Sequence, residues 1–150
     1  MTLAVETGDP RDPGVAALLR QSHALMQALF PPEDNFFLDI DALTAPDIAF
    51  FVARQGGETL GTAALADRGS YGEVKSMFVA EAARGLGVGA ALLARVEAEA
   101  RARNHTVLRL ETGNALGAAL RFYTSAGFTE RGPFGDYPEA KTSIFMEKTL

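Results

Sequence analysis

The strongest constraint on this chain is a change of backbone rhythm between Glu73 and Ala90. An apolar strand centred on Met77, Phe78 and Val79 gives way to three alternate glycines (Gly85, Gly87, Gly89) and then to a helix-periodic run from Val88. A strand, a glycine turn and a helix start in that order make an anion site. The first N–H groups of a helix have no intrahelical partner, the macrodipole is positive there, and glycine lets backbone approach a phosphate without a Cβ in the way. Arg84, just ahead of the first glycine, adds a fixed positive charge.

Three phosphate-binding patterns compete for this stretch. A Walker A loop needs Gly-Lys followed by Ser or Thr, and the chain has no Gly-Lys pair. The dinucleotide fingerprint G-x-G-x-x-G/A fits as letters at Gly85, Gly87 and Ala90, with Glu111 at the end of the next strand. That motif follows directly on its strand, however, whereas Ala80 to Arg84 intervene here, and a doubly wound sheet needs more chain than remains after Leu110. The third pattern, Arg/Gln-x-x-Gly-x-Gly/Ala, is met in full by Arg84, Gly87 and Gly89. It is the pyrophosphate loop of the GNAT family of acetyl-CoA-dependent N-acyltransferases, which this chain resembles.

Composition limits what the rest of the chain can add. At 150 residues with 47% hydrophobic content, one sizeable core and a single domain spanning 1–150 are expected. Absence of cysteine removes disulfides, thiolate nucleophiles and cysteine metal sites, and His23 and His105 stand far apart, so a metal-free chemistry is expected. The N-terminus lacks the basic and apolar regions of a signal peptide, and no apolar run is long enough to span a bilayer, which points to the cytoplasm and away from membranes. A formal net charge of -5 leaves no basic footprint for nucleic acid.

Along the chain, Leu3 to Val5 reads as a short first strand, and Asp12-Pro13 as the cap and first position of a helix. Val15, Leu18, Leu19, Leu25, Met26 and Leu29 hold helical spacing until Pro31-Pro32 stops it. A second short helix is expected over Asp39 to Leu43. Ile48 to Ala53 and Leu60 to Ala66 form a hairpin about Gly56-Gly57, followed by a strand from Tyr71 to Val79. The helix after the glycine loop runs to about Arg103 with a stripe of Val88, Leu92, Val96 and Ala100. Asn104-His105 breaks it, which makes His105 a loop residue. Thr106 to Glu111 is a strand closed by Gly113. Leu116, Ala119, Leu120 and Tyr123 then share a helix face ended by Gly127, and strands begin at Phe128 and Ser143.

The order strand, Arg84-x-x-Gly87-x-Gly89, helix, strand, then Ala119-x-x-x-Tyr123-x-x-x-Gly127-Phe128 is similar to the core of the GNAT fold over residues 71 to 131. The resemblance implies a mixed α/β (α+β) fold, with a central, mostly antiparallel twisted sheet of about six to seven strands flanked by about four helices. Phe30-Pro-Pro-Glu33, Leu38-Asp-Ile-Asp-Ala-Leu43, Glu73-Val-Lys-Ser-Met77, Leu110-Glu-Thr-Gly113 and Gly132-Pro-Phe-Gly-Asp-Tyr137 resemble a bacterial branch of small N-acetyltransferases, some of which carry an auxin-related label.

That resemblance also implies roles. Backbone groups at Met77 and Val79, with Phe78 between them, correspond to those that bind the acetyl carbonyl and the pantetheine arm, where an N–H stabilises the oxygen of the tetrahedral intermediate. Backbone from Arg84 through Gly85, Leu86, Gly87, Val88, Gly89 and Ala90 corresponds to the pyrophosphate site. Tyr123 matches the general acid that protonates the departing thiolate. The family often has asparagine seven residues before that tyrosine. Leu116 is there instead, and Asn114 lies two positions early.

A base is needed because an alkylamine with a pKa of about 10.4 is protonated at neutral pH and cannot attack a thioester in that form. Glu73 leads: by strand parity it lies on the side of Met77 and Val79, and it precedes Arg84 by eleven positions, as the base glutamate does in some GNAT enzymes. It equally suits a cross-strand partner for Lys75. Glu111, Asp136 and Tyr137 are the reserves, from the strand end and late loop that the family turns toward its acceptor, and a water chain is a further alternative. Between Gln21 and Ala53 the chain carries Glu33, Asp34, Asp39, Asp41 and Asp47 and no lysine or arginine. Singly these suit caps and solvated loops, whereas together they suit an acidic rim for a cationic amine. The expectation is an N-acetyltransferase that uses acetyl-CoA (CoA) as co-substrate and a small-molecule amine or amino acid as acceptor, working as a monomer or homodimer. The rival is a GNAT-like module that binds acetyl-CoA and catalyses nothing.

Overall fold

Apolar and small residues in the middle of the chain build an antiparallel meander, and everything else is hung on it. The computed structural model describes residues 2–150. Strands β1 (Ala4–Thr7), β2 (Ile48–Gln55), β3 (Glu58–Asp67) and β4 (Gly72–Val79) pair in sequence, each antiparallel to the one before. β5 (Val107–Gly113) joins β4 in parallel, β7 (Ser143–Thr149) pairs antiparallel to β5, and β6 (Thr129–Arg131) pairs with β7 at the edge. The sheet order is β1-β2-β3-β4-β5-β7-β6. A doubly wound parallel sheet is therefore absent among the described residues, and the dinucleotide reading of Gly85, Gly87 and Ala90 falls with it.

Three α-helices cover the sheet: α1 (Pro13–Leu29), α2 (Val88–Ala102) and α3 (Gly117–Ser125). Asp12 caps α1 as its spacing requires, accepting from Gly14 N at 3.3 Å with proline at the first position, and Phe30 is extended ahead of the two prolines. Val15 and Leu19 of α1 pack with Leu43, Phe50, Val52 and Ala64 on one face of the sheet. Leu92, Val96 and Ala100 of α2 pack with Phe51, Leu65 and Leu108 on the other. Burying both faces is what permits near-continuous apolar runs in β2 and β3 rather than strict alternation. The fourth helix expected at Asp39–Leu43 is a single 3-10 turn, Ala42–Thr44: Asp39 caps it by accepting from Ala42 N at 2.7 Å, but Ala45-Pro46 stops the chain two residues later. Among the described residues, no helix is long and apolar enough to cross a membrane.

Two departures from regularity place the site. β4 and β5 pair only at Gly72 with Leu108 and Glu73 with Arg109; past that point they diverge. In addition, the register of β3 against β4 slips between Thr62 and Ala64, where Ser76 takes a φ of +53° and the strand bulges.

Candidate active site

The glycine loop holds its amides free. Gly85 and Gly87 have φ values of +81° and +80°, a conformation open to glycine and costly for side chains with a Cβ, and Gly87 stands as the N-cap of α2. No side chain caps this helix. Its first intrahelical bond is Ala91 N to Gly87 O, and among the described residues the amides from Gly85 to Ala90 have no protein acceptor. Gly89 differs from Gly85 and Gly87. Its φ is not in the left-handed region, and a Cβ there would lie 3.5 Å from the Phe122 ring, an ordinary contact. Alanine would serve the helix better by about 0.5–1 kcal/mol, so neither backbone nor packing asks for glycine. Arg84 is exposed and has no ion pair among the described residues, and Leu86 stands 66% exposed at the loop tip. These residues fit a diphosphate.

Divergence of β4 from β5 opens a cavity of about 140 Å³, lined by Lys75, Ser76 and Met77 of β4, Glu111 to Gly113 of β5, Leu116 at the start of α3, and Ala119 and Tyr123 of α3. The Phe30 to Phe37 loop closes it from the α1 side, seated on β5 because a Cβ at Gly113 would fall 2.1 Å from the Phe30 ring. Val79 and Phe122 flank Gly89, while Met77 and Tyr123, from the same strand and the same helix, line the cavity. Tyr123 is buried at 7% exposure between Phe122 and Phe128, and its hydroxyl has no protein partner among the described residues. Burial raises its pKa and keeps the phenol protonated.

Glu73 lies elsewhere. Register puts Glu73 opposite Ala66, Lys75 opposite Ala64 and Phe78 opposite Thr62 on the α1 face, whereas Val79 opposes Gly61 and packs toward α2. Parity had grouped Glu73 with Met77 and Val79; the bulge at Ser76 reverses the alternation, so Glu73 and Val79 face opposite sides and Phe78 takes the side of Glu73. Glu73 is 2% exposed and fully engaged: Arg68 Nε donates to Oε1 at 3.0 Å, Tyr137 OH donates to Oε2, and Lys75 Nζ is 3.7 Å from Oε2. It lines a second cavity with Arg68, Tyr71, Asp136 and Tyr137, separated from the first by Phe36, Phe37 and Lys75, which line both. Burial lowers the Lys75 pKa despite the nearby Glu73, and burial with the Glu73 charge raises that of Tyr137.

Glu111 does line the first cavity. Its Oε2 accepts from Ser143 Oγ at 2.8 Å, and burial lifts its carboxyl above the ordinary range. Asn114 does not line it: its Nδ2 donates to Lys141 O at 3.3 Å in the connection leading to β7. Of the acidic segment, Glu33 is exposed and only its neighbour Asp34 lines the cavity. Asp39 caps a turn, Asp41 pairs with Arg11 at 3.0 Å and Asp47 with Arg68 at 3.8 Å, so no continuous acidic rim forms. His105 is buried against Asp67 at 3.1 Å, a fold contact. Among the described residues, no group of histidines or acidic side chains could hold a metal ion. Sequence reasoning missed Asn35, Ser76 and Phe36, and saw Lys75 only as a partner. The available signal was two charges, Glu73 and Lys75, alternating within a strand that is otherwise apolar.

The profile of the acetyltransferase (GNAT) family matches residues 17–128. An IAA acetyltransferase of Azospirillum brasilense is 43% identical over all of this chain and 98% of its own, and the uncharacterized N-acetyltransferase YsnE of Bacillus subtilis is 34% identical over 91% of this chain and 92% of its own. A Klebsiella pneumoniae protein assigned to the acyl-CoA N-acyltransferases superimposes with a TM-score of 0.84 at 30% identity, covering 99% of this chain and 97% of its own. A mixed sheet that splits between β4 and β5, an uncapped helix behind Arg84-x-x-Gly87-x-Gly89 and relatives along the whole length agree: the chain belongs to the GNAT family of acetyltransferases.

Proposed function

We propose that this acetyltransferase moves the acetyl group of acetyl-CoA onto a primary amine of a small molecule or amino acid by direct attack of the amine on the thioester. The observation that carries the reading is the run of free amides from Gly85 to Ala90, together with a cavity at the split between β4 and β5 that is lined by both Tyr123 and Glu111. Those amides, with Arg84, would hold the diphosphate of CoA, and the thioester supplies an activated acetyl group. The edge of β4 beyond Glu73, unpaired on its β5 side, offers backbone donors and acceptors from Met77 to Val79 to the pantetheine arm and the acetyl carbonyl.

Proton handling falls to two side chains. Glu111 accepts a proton from the ammonium, leaving the lone pair that attacks; its raised pKa makes it a better acceptor than an ordinary carboxylate. Tyr123, kept protonated by burial, gives its proton to the departing sulfur and recovers one as the new amide nitrogen loses its own. Glu73 holds Lys75 and Tyr137 in place from behind the cavity wall, and Tyr137 and Asp136 flank the second opening.

Acetyl-CoA turnover over a panel of amines, followed by Glu111→Gln, Tyr123→Phe and Glu73→Gln, tests the assignment. Glu111→Gln and Tyr123→Phe are expected to lower kcat, with Glu73→Gln acting more through stability. If Glu73→Gln alone abolishes turnover in a folded protein, the base is Glu73. If no amine is acetylated while CoA binds, the reaction is misread.

A further inference from the structure

The two cavities share a wall, and one buried chain of hydrogen bonds decides where that wall stands. Phe36, Phe37 and Lys75 line both cavities. Phe36 to Leu38 forms no backbone–backbone hydrogen bond among the described residues, so this part of the wall is held through side chains. The Phe37 ring stacks on His23 with centroids 4.1 Å apart. Phe36 is tied by its carbonyl, which accepts from Lys75 Nζ at 3.0 Å.

Lys75 has a stronger attraction within reach. Glu73 Oε2 lies 3.7 Å from Nζ and both side chains are buried, where an ammonium–carboxylate contact outweighs an ammonium–carbonyl bond. Tyr137 stands between them. Its hydroxyl accepts from Nζ at 2.8 Å and donates to Oε2, while Arg68 Nε holds Oε1 at 3.0 Å. The chain runs one way, because an ammonium only donates and a carboxylate only accepts, so the hydroxyl proton must point to Glu73. Each Glu73 oxygen thus has a donor without Lys75, and Nζ is left to bridge the hydroxyl and the Phe36 carbonyl. The Tyr137 ring is seated separately, edge-on to Phe36 at 5.5 Å, Phe134 at 5.2 Å and Phe145 at 5.5 Å.

We infer that the Tyr137 hydroxyl is a spacer: it keeps Lys75 off Glu73 and on the Phe36 carbonyl, and so fixes the partition between the two cavities. Tyr137 lines only the second cavity, whereas Glu111 and Tyr123 line only the first. A change at the hydroxyl therefore reaches the far side of the partition through Lys75 and one carbonyl. Tyr137 is a positioning residue for the first cavity without touching it.

Tyr137→Phe removes the hydroxyl and keeps the ring. A crystal structure of this variant is expected to show Nζ in direct contact with Glu73 and withdrawn from the Phe36 carbonyl. Motion of the partition can be read in solution because the chain has no tryptophan, so Phe37→Trp supplies a sole emitter within it. Open forms of the partition should become about tenfold more populated when Tyr137→Phe is added, the scale of one lost hydrogen bond to a charged group, and acrylamide should quench the emission correspondingly more. Lys75→Met cuts the same tie directly and should raise quenching as far, and combining it with Tyr137→Phe should raise it no further. A hydroxyl that merely supports the fold would add its own loss to that of Lys75. The inference is overturned if Nζ stays on the Phe36 carbonyl in Tyr137→Phe, if quenching is unchanged, or if the two substitutions add. Should Phe37→Trp fail to fold, the Tyr137→Phe structure decides alone. None of these readouts needs acetyl-CoA or turnover, so their failure and that of the acetyl-transfer reading are separate events.

Discussion

The two ends of the cleft are built from different materials. At the glycine loop, one continuous stretch, Arg84 to Ala90, presents main-chain N–H groups by its backbone angles alone. The cavity is lined instead by side chains from segments far apart in the chain: Asn35 before β2, Lys75 and Ser76 on β4, Glu111 on β5 and Tyr123 on α3. A main-chain site serves a ligand part that never varies, because nothing in it depends on side-chain identity. A side-chain site can be re-cut residue by residue while the sheet stays the same.

The largest separation between the two ends is expected from Glu111→Gln. Loss of a general base costs about 10²–10⁴-fold in rate, so kcat/KM for the amine should fall by that order with KM for acetyl-CoA little changed, as steady-state kinetics would show. In the unsubstituted enzyme, kcat/KM should fall with decreasing pH through a carboxyl pKa above the usual glutamate value, since the base must be ionised and burial raises that pKa. A rate independent of pH across that region would remove Glu111 from the role.

Next in size is the opposite experiment, Gly87→Val. A β-branched residue at a φ of +80° is strained, and the amides beside it are displaced even though no neighbour lies within 4 Å of the added Cβ. KM for acetyl-CoA should rise at least tenfold, with the preference among amines unchanged. Altered amine preference would mean that the two ends are not independent.

The same Glu111→Gln protein carries a smaller effect of opposite sign. A carboxyl whose folded pKa lies above its unfolded value contributes stability below the unfolded pKa and loses it as pH rises through the folded one. Glutamine does not ionise, so the variant should melt higher than the parent near neutral pH, and the gap should close in acid. A variant less stable at pH 7 would mean that the Ser143 bond outweighs the burial of the charge.

This division also governs what could be read from the sequence. The cradle was legible because its physics is local: Arg84, Gly87 and Gly89 at fixed spacing specify angles and free amides without reference to any other segment. The helix starts and the hairpin were legible for the same reason, through Asp12-Pro13 and Gly56-Gly57. Glu73 was misplaced because parity assumes an unbroken ladder. The bulge at Ser76 comes from the pairing of β3 with β4, and nothing in Lys75-Ser76-Met77 announces it. Asp34 and Asn35 could not be told from Glu33 and Asp39 because loop residues are sorted by tertiary packing. Their place in the cavity lining appears only once Phe30 rests on Gly113.

The finest test concerns Gly89, where the family pattern admits alanine as well as glycine. With a helical backbone and only ordinary contacts at 3.5 Å and 3.6 Å to Phe122, alanine should stabilise the protein by about 0.5–1 kcal/mol and raise Tm by a few degrees. Either residue keeps the amide at this position, so KM for acetyl-CoA should move little while Tm rises. A Gly89→Ala protein whose KM for acetyl-CoA rises steeply would mean that a phosphate sits too close to residue 89 for a methyl group, and the loop would then need glycine at all three positions.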